Sequence, residues 1–70
     1  MERFFIAQTN NNAVTVGGVR KLAEFDRSRI VLAVVGGLVT VLGDGLKIAR
    51  FDENEISISG RISSVETATR

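Results

Sequence analysis

The chain offers few side chains with which to do chemistry. Its 70 residues include no histidine and no cysteine, so the commonest general base, the thiolate nucleophile and the main nitrogen and sulfur metal ligands are all missing. A serine nucleophile would need a lysine or carboxylate base beside it. The serines stand singly at Ser28 or in the run Ser57, Ser59, Ser63, Ser64, which is the spacing of a strand's outer face and end. Carboxylates gather at Asp44, Asp52, Glu53 and Glu55, but Asp52-Glu53-Asn54-Glu55 has neither the spacing nor the glycine of a calcium loop. Gly43-Asp44-Gly45 is too short to cradle a phosphate and is expected to be a turn. The sequence thus predicts no catalytic residue, no metal, no cofactor and no small-molecule substrate.

Charge and composition narrow the partners. Nine basic against eight acidic residues leave a formal charge of +1, and there is no tryptophan or tyrosine. A nucleic-acid binder would need a basic surplus and aromatic stacking platforms, so none is expected. Without cysteine no disulfide framework supports the fold, which fits a reducing compartment. Phe4-Phe5-Ile6-Ala7 is too short an apolar core for a signal peptide. Residues 30–42 are thirteen apolar or small positions interrupted by glycine, against about 20 for a membrane-spanning helix.

That central stretch organises the chain. Ile30-Val31-Leu32-Ala33-Val34-Val35 and Leu38-Val39-Thr40-Val41-Leu42 flank Gly36-Gly37, the pattern of a β-hairpin with a two-residue type I′ loop. Val35 then faces Leu38, Ala33 faces Thr40 and Val31 faces Leu42, while Val34/Val39 and Leu32/Val41 fill the other side. Both faces are apolar, so both need covering, by the rest of the chain or by another molecule. Seventy residues form one domain that buries only about 60% of the surface its unfolded chain exposes. Self-association is therefore expected through Val31, Ala33, Val35, Leu38, Thr40 and Leu42, with the side carrying Ala33 and Thr40 turned towards the neighbour, and with Phe4 and Phe5 of the N-terminal arm docking as well.

The remaining segments are organised by a duplication. Lys21-Leu22-Ala23-Glu24-Phe25-Asp26 returns as Lys47-Ile48-Ala49-Arg50-Phe51-Asp52, and Val14-Thr15-Val16 returns as Val39-Thr40-Val41. The irregular spacing of Leu22/Phe25 and Ile48/Phe51 suits either a bulged strand or one helical turn, with both apolar residues inward. Glu24 becomes Arg50 in the second repeat, and Arg27 and Arg29 become Glu53 and Glu55. Such reversal would serve ion pairs within the chain, or a head-to-tail contact of Arg27 and Arg29 with Glu53 and Glu55 that builds rings or filaments.

These readings predict an all-β fold of about six short, mostly antiparallel strands in a meander, closing into a small half-barrel or sandwich with internal duplication; a β-roll or solenoid-like stack is the alternative. Residues 1–12 form an arm and linker, 13–66 the β domain, and 67–70 a polar tail. For residues 4–7 a strand and a flexible arm are both open readings.

The linked spacings of Val14-Thr15-Val16-Gly17-Gly18-Val19, Phe25-Asp26, Gly37-Leu38-Val39-Thr40-Val41, Gly43-Asp44-Gly45-Leu46-Lys47-Ile48 and Ile56-Ser57-Ile58-Ser59-Gly60-Arg61-Ile62 resemble the YabP/YqfC family of sporulation proteins. The chain departs from that family before the glycine of the hairpin, where members often carry a threonine and a bulky residue and this chain has Val35-Gly36. The resemblance implies a non-enzymatic protein of the mother cell, in its cytoplasm or at the forespore surface, that scaffolds late assembly of the spore envelope by self-association, with a membrane-bound sporulation protein as a plausible partner. The alternative is a small adaptor that binds a partner by strand addition to an open sheet edge.

Overall fold

The computed structural model describes residues 4–69. Six strands follow one another: β1 (Phe5–Asn10), β2 (Ala13–Gly17), β3 (Val19–Phe25), β4 (Arg29–Val34), β5 (Gly37–Asp52) and β6 (Glu55–Thr69). All pairings are antiparallel, and the strands form one open sheet in the order β1-β2-β6-β5-β4-β3. The all-β class is as expected. Within it, the order leaves a strict meander at one place, where β2 pairs with β6 instead of β3. Residues 5–7 are a strand, one of the two readings open for the arm, but that strand runs on through residues 8–10 of the expected linker, and residues 67–69 belong to β6 and not to a tail.

Two strands are longer than their sequence suggests. Gly43-Asp44-Gly45 does not reverse the chain; it bends β5, which runs through 16 residues. Gly60 likewise sits inside the 15-residue β6. The ladder between them slips at Leu42/Gly43 and again between Asp44 and Lys47. Gly45 and Gly60 take φ of 63° and 128°, values that a side chain makes costly.

The bend makes the core. Among the described residues there is no helix to cover the sheet, yet nine apolar side chains, including Val14, Ile30, Leu32, Val41 and Ile56, are less than 2% exposed. The sheet must therefore fold over itself. One layer consists of β1, β2, residues 55–59 of β6 and residues 45–52 of β5. The other consists of residues 61–69 of β6, residues 37–44 of β5, β4 and β3. Their inner side chains join in a single apolar cluster, as in a sandwich.

The duplication is present in the backbone. In the first repeat Leu22 pairs with Leu32, Glu24 with Val31 and Phe25 with Ile30, with a bulge between Leu22 and Glu24. In the second, Ile48 pairs with Ile58, Arg50 with Ser57 and Phe51 with Ile56, with a bulge between Ile48 and Arg50. Each position is displaced by 26 residues. The repeats also exchange strands: Val14 and Val16 pair with Ile58 and Ile56 of the second repeat, while Val39 and Val41 pair with Leu32 and Ile30 of the first. The amide of Gly43 donates to the carbonyl of Ser28 at 3.1 Å, and that of Val19 to the carbonyl of Asn54 at 2.9 Å. The reverse turn of each repeat thus closes against the other repeat, and the two layers are related by an approximate two-fold.

Two details differ from expectation. The central hairpin turns at Val35-Gly36, one residue early, because only Gly36 has positive φ (89°), and a loop of type II form requires a glycine at its second position alone. Val34 therefore pairs with Gly37, Ala33 with Leu38 and Val31 with Thr40. Partners move by two residues, so each side chain keeps the face assigned from sequence. Secondly, the bulges do not bury Phe25 and Phe51, which are 54% and 57% exposed. They pair with the inward residues Ile30 and Ile56 next to the turns, and Phe25 lines a shallow groove with Gly45 and Leu46.

Candidate interaction surface

Among the described residues no lysine or carboxylate hydrogen-bonds a serine or threonine hydroxyl. Thr15 and Ser57 share a hydrogen bond at 3.1 Å in a shallow cleft lined also by Arg50, Asp52 and Glu55. Arg50 lies 3.7 Å from Asp52, which occupies the cation with a carboxylate and places no base against either hydroxyl. Among the described residues no three carboxylates converge as a metal site would require.

What the fold does build is a pair of outer faces of opposite character. The approximate two-fold matches five outward places on each layer. On the first they hold Ala13, Thr15, Gly17, Ser57 and Ser59, set side by side by the β2–β6 ladder. On the second they hold Leu38, Thr40, Leu42, Val31 and Ala33, set by the β4–β5 ladder. Inner places are apolar in both repeats: Ile30 and Ile56 are each 0% exposed, as are Leu32 and, nearly, Ile58. At these places the repeats keep their inner residues apolar and diverge outside. The first layer shows that this backbone holds with small and polar residues facing out, so the apolar residues of the second layer are not a requirement of the fold.

Each residue expected from the sequence can be placed. Val31, Ala33, Leu38, Thr40 and Leu42 lie together on this second outer face, with Leu38 43% exposed, Val31 nearly buried among its neighbours and the others half-buried. Val35 sits in the turn at its end, its amide donating to the carbonyl of Gly18 at 3.0 Å. Phe4 and Phe5 are elsewhere: Phe4 packs against the chain's own core, and the ring of Phe5 lies over Gly17 of the first layer. Arg27, Arg29, Glu53 and Glu55 are all exposed, and Arg29 is already engaged in its own hairpin by Glu24 at 3.8 Å.

The rim of the face is set by β3 and β6. Lys21 pairs with Ala33 and Glu24 with Val31, while Glu66 pairs with Thr40 and Ala68 with Leu38, so these four extend the outer surface on either side. Two bulges in β3 decide that Lys21 and Glu24 both point outward, and a three-residue spacing in sequence gives no sign of it. Among the described residues no helix is long and apolar enough to cross a membrane.

A search of curated proteins finds no match for this chain. The model of the YabP family, by contrast, matches residues 3–69, which takes in all six strands, both repeats and both outer faces, and on that extent of agreement the chain belongs to the YabP family.

Proposed function

We propose that this is a non-enzymatic sporulation protein that works as a structural component in late assembly of the spore envelope, by associating with itself. Membership of the YabP family supports the sporulation role. The self-association reading rests on one observation: the face of Val31, Ala33, Leu38, Thr40 and Leu42 is apolar, carries a half-exposed leucine and is covered by no other element of the chain among the described residues. A mother-cell location, in the cytoplasm or at the forespore surface, and a membrane-bound sporulation partner follow from the same reading.

Light scattering over a concentration series tests it. The wild type should form defined oligomers, and Thr40→Arg, which places a charge at the centre of the face, should dissociate them. A compact monomer at every concentration removes the scaffold reading.

A second reading is favoured by the sheet's edges. β3 is guarded by Arg20, Lys21, Glu24 and two bulges, whereas β1, Phe5–Asn10, carries no charge along its free edge. An adaptor could take a partner's strand there. Such a protein stays monomeric until the partner is added, and a pull-down from sporulating cells, identified by mass spectrometry, would recover that partner with the wild type and lose it with a proline placed in β1.

A further inference from the structure

We infer that the apolar outer face is the contact of an isologous dimer with a second copy of this chain, in which Lys21 of each protomer faces Glu24 of the other. This rests on the self-association reading and adds its geometry. The centre of the face is uncharged, and along its β3 rim Lys21 and Glu24 occupy consecutive outward places, beside Ala33 and Val31; Glu24 also lies 3.8 Å from Arg29 of its own hairpin, an exposed pair that leaves the carboxylate open to a second cation. A surface that carries both members of an ion pair on one rim is complementary to itself.

The register decides how the two protomers meet. Two sheets packed face to face are related by a two-fold axis lying in the contact plane, either along the strands or across them. An axis along the strands lays β3 on the partner's β6, and Glu24, in the row of Val31, Thr40 and Glu66, then opposes a second carboxylate on each side. An axis across the strands lays β3 on the partner's β3 in reverse. Lys21 then opposes the partner's Glu24, twice over, Leu38 meets Thr40, and Glu66 meets only Ala68. Sheets in face-to-face packing lie about 10 Å apart, a gap that a lysine and a glutamate bridge from opposite sides. Like charges disfavour the first arrangement and opposite charges favour the second.

The size of the face sets the strength. Four strands at about 4.8 Å and seven residues at about 3.3 Å span roughly 20 by 20 Å, so about 800 Å² is covered in the pair before corrugation is counted. That is below the about 1,000 Å² that a stable interface clears, so a weak, reversible dimer is expected.

Sedimentation equilibrium on three proteins tests this. The wild type should dimerise reversibly. Lys21→Glu and Glu24→Lys, each alone, place two like-charged pairs in the contact and should weaken it at least about tenfold. Mixed in equal amounts, the two variants regain both opposite-charge pairs and should form a heterodimer of near wild-type affinity, identified by native mass spectrometry. Circular dichroism melts of each variant establish that all three are folded, and the recovery on mixing cannot come from a misfolded chain. If the single variants dimerise as well as the wild type, or if mixing restores nothing, the geometry is wrong while self-association stands. If the wild type is monomeric from about 1 µM to about 1 mM, self-association itself falls.

Discussion

The ring of Phe5 lies across Gly17, its pairing partner on the neighbouring strand, so closely that a methyl group on Gly17 would collide with it. The edge strand is thereby held by an aromatic cover over a residue that has no side chain of its own. Phe5 remains 48% exposed.

The two positions should consequently be coupled. Gly17→Ala in the wild type forces the ring aside and should cost about 1–2 kcal/mol. In a Phe5→Ala background the atoms nearest the added methyl group are gone, and the same change should cost clearly less. Urea unfolding of the four proteins of the cycle gives the coupling directly. Equal costs in both backgrounds would mean that the ring does not rest there.

The glycines of the bend should rank by what surrounds them. A Cβ on Gly60 would stand 2.6 Å from the carbonyl oxygen of Gly45 and 2.9 Å from the Cα of Leu46, both backbone atoms, on top of a φ of 128°. Gly60→Ala should therefore cost about 3 kcal/mol or more, a large part of the roughly 4–10 kcal/mol available to a domain of this size. Gly45, with φ of 63° and nothing within 4 Å of the added atom, should lose only about 1 kcal/mol on the same change. Denaturant midpoints of Gly60→Ala and Gly45→Ala in parallel decide the order.

Much of this architecture is legible in the residues themselves. The alternation of Val14-Thr15-Val16 and Ile56-Ser57-Ile58-Ser59 gives inner and outer faces correctly, and the duplication of residues 21–26 in 47–52 anticipates two hairpins of identical register. The central hairpin survives a misplaced turn, because moving the loop by one residue moves partners by two and leaves every face unchanged. What escapes sequence reasoning is long-range. Gly43-Asp44-Gly45 has the composition of a reverse turn, and only the continuing ladder with β6 keeps the chain going forward. Phe25 and Phe51 have the spacing of core residues, but each ends its strand's pairing beside the turn and stays more than half exposed. The rim of the interaction face depends on bulges in β3, which a spacing of three residues cannot locate.

Structural equivalence of the repeats should appear in their energetics. Ile30 and Ile56 occupy matching places and are both fully buried. Ile30→Val and Ile56→Val should each cost about 1 kcal/mol and agree within about 0.5 kcal/mol. The half-exposed Phe25 and Phe51 should tolerate leucine with smaller losses. A difference above about 1 kcal/mol between the two isoleucines, measured by urea unfolding, would show that the layers are not packed alike.

The reversed charges of the two repeats have a local explanation that can be tested in the first hairpin. Glu24 and Arg29 approach to 3.8 Å across the β3–β4 turn, each more than half exposed; the second repeat carries Arg50 and Glu55 at the matching places, on the walls of one cleft. There Arg50 pairs instead with Asp52 at 3.7 Å, so the cross-turn pair is a feature of the first hairpin. An exposed pair of this kind is worth about 0.5 kcal/mol. Glu24→Arg alone sets two cations together and should cost about that much or slightly more, whereas Glu24→Arg with Arg29→Glu should return to within about 0.3 kcal/mol of wild type. The penalty of the single change should fade in about 1 M salt, where the screening length is near 3 Å. Thermal melts in dilute solution, at low and high salt, read both effects, and a double reversal no more stable than the single change would show that the pair does not set the hairpin's charge pattern.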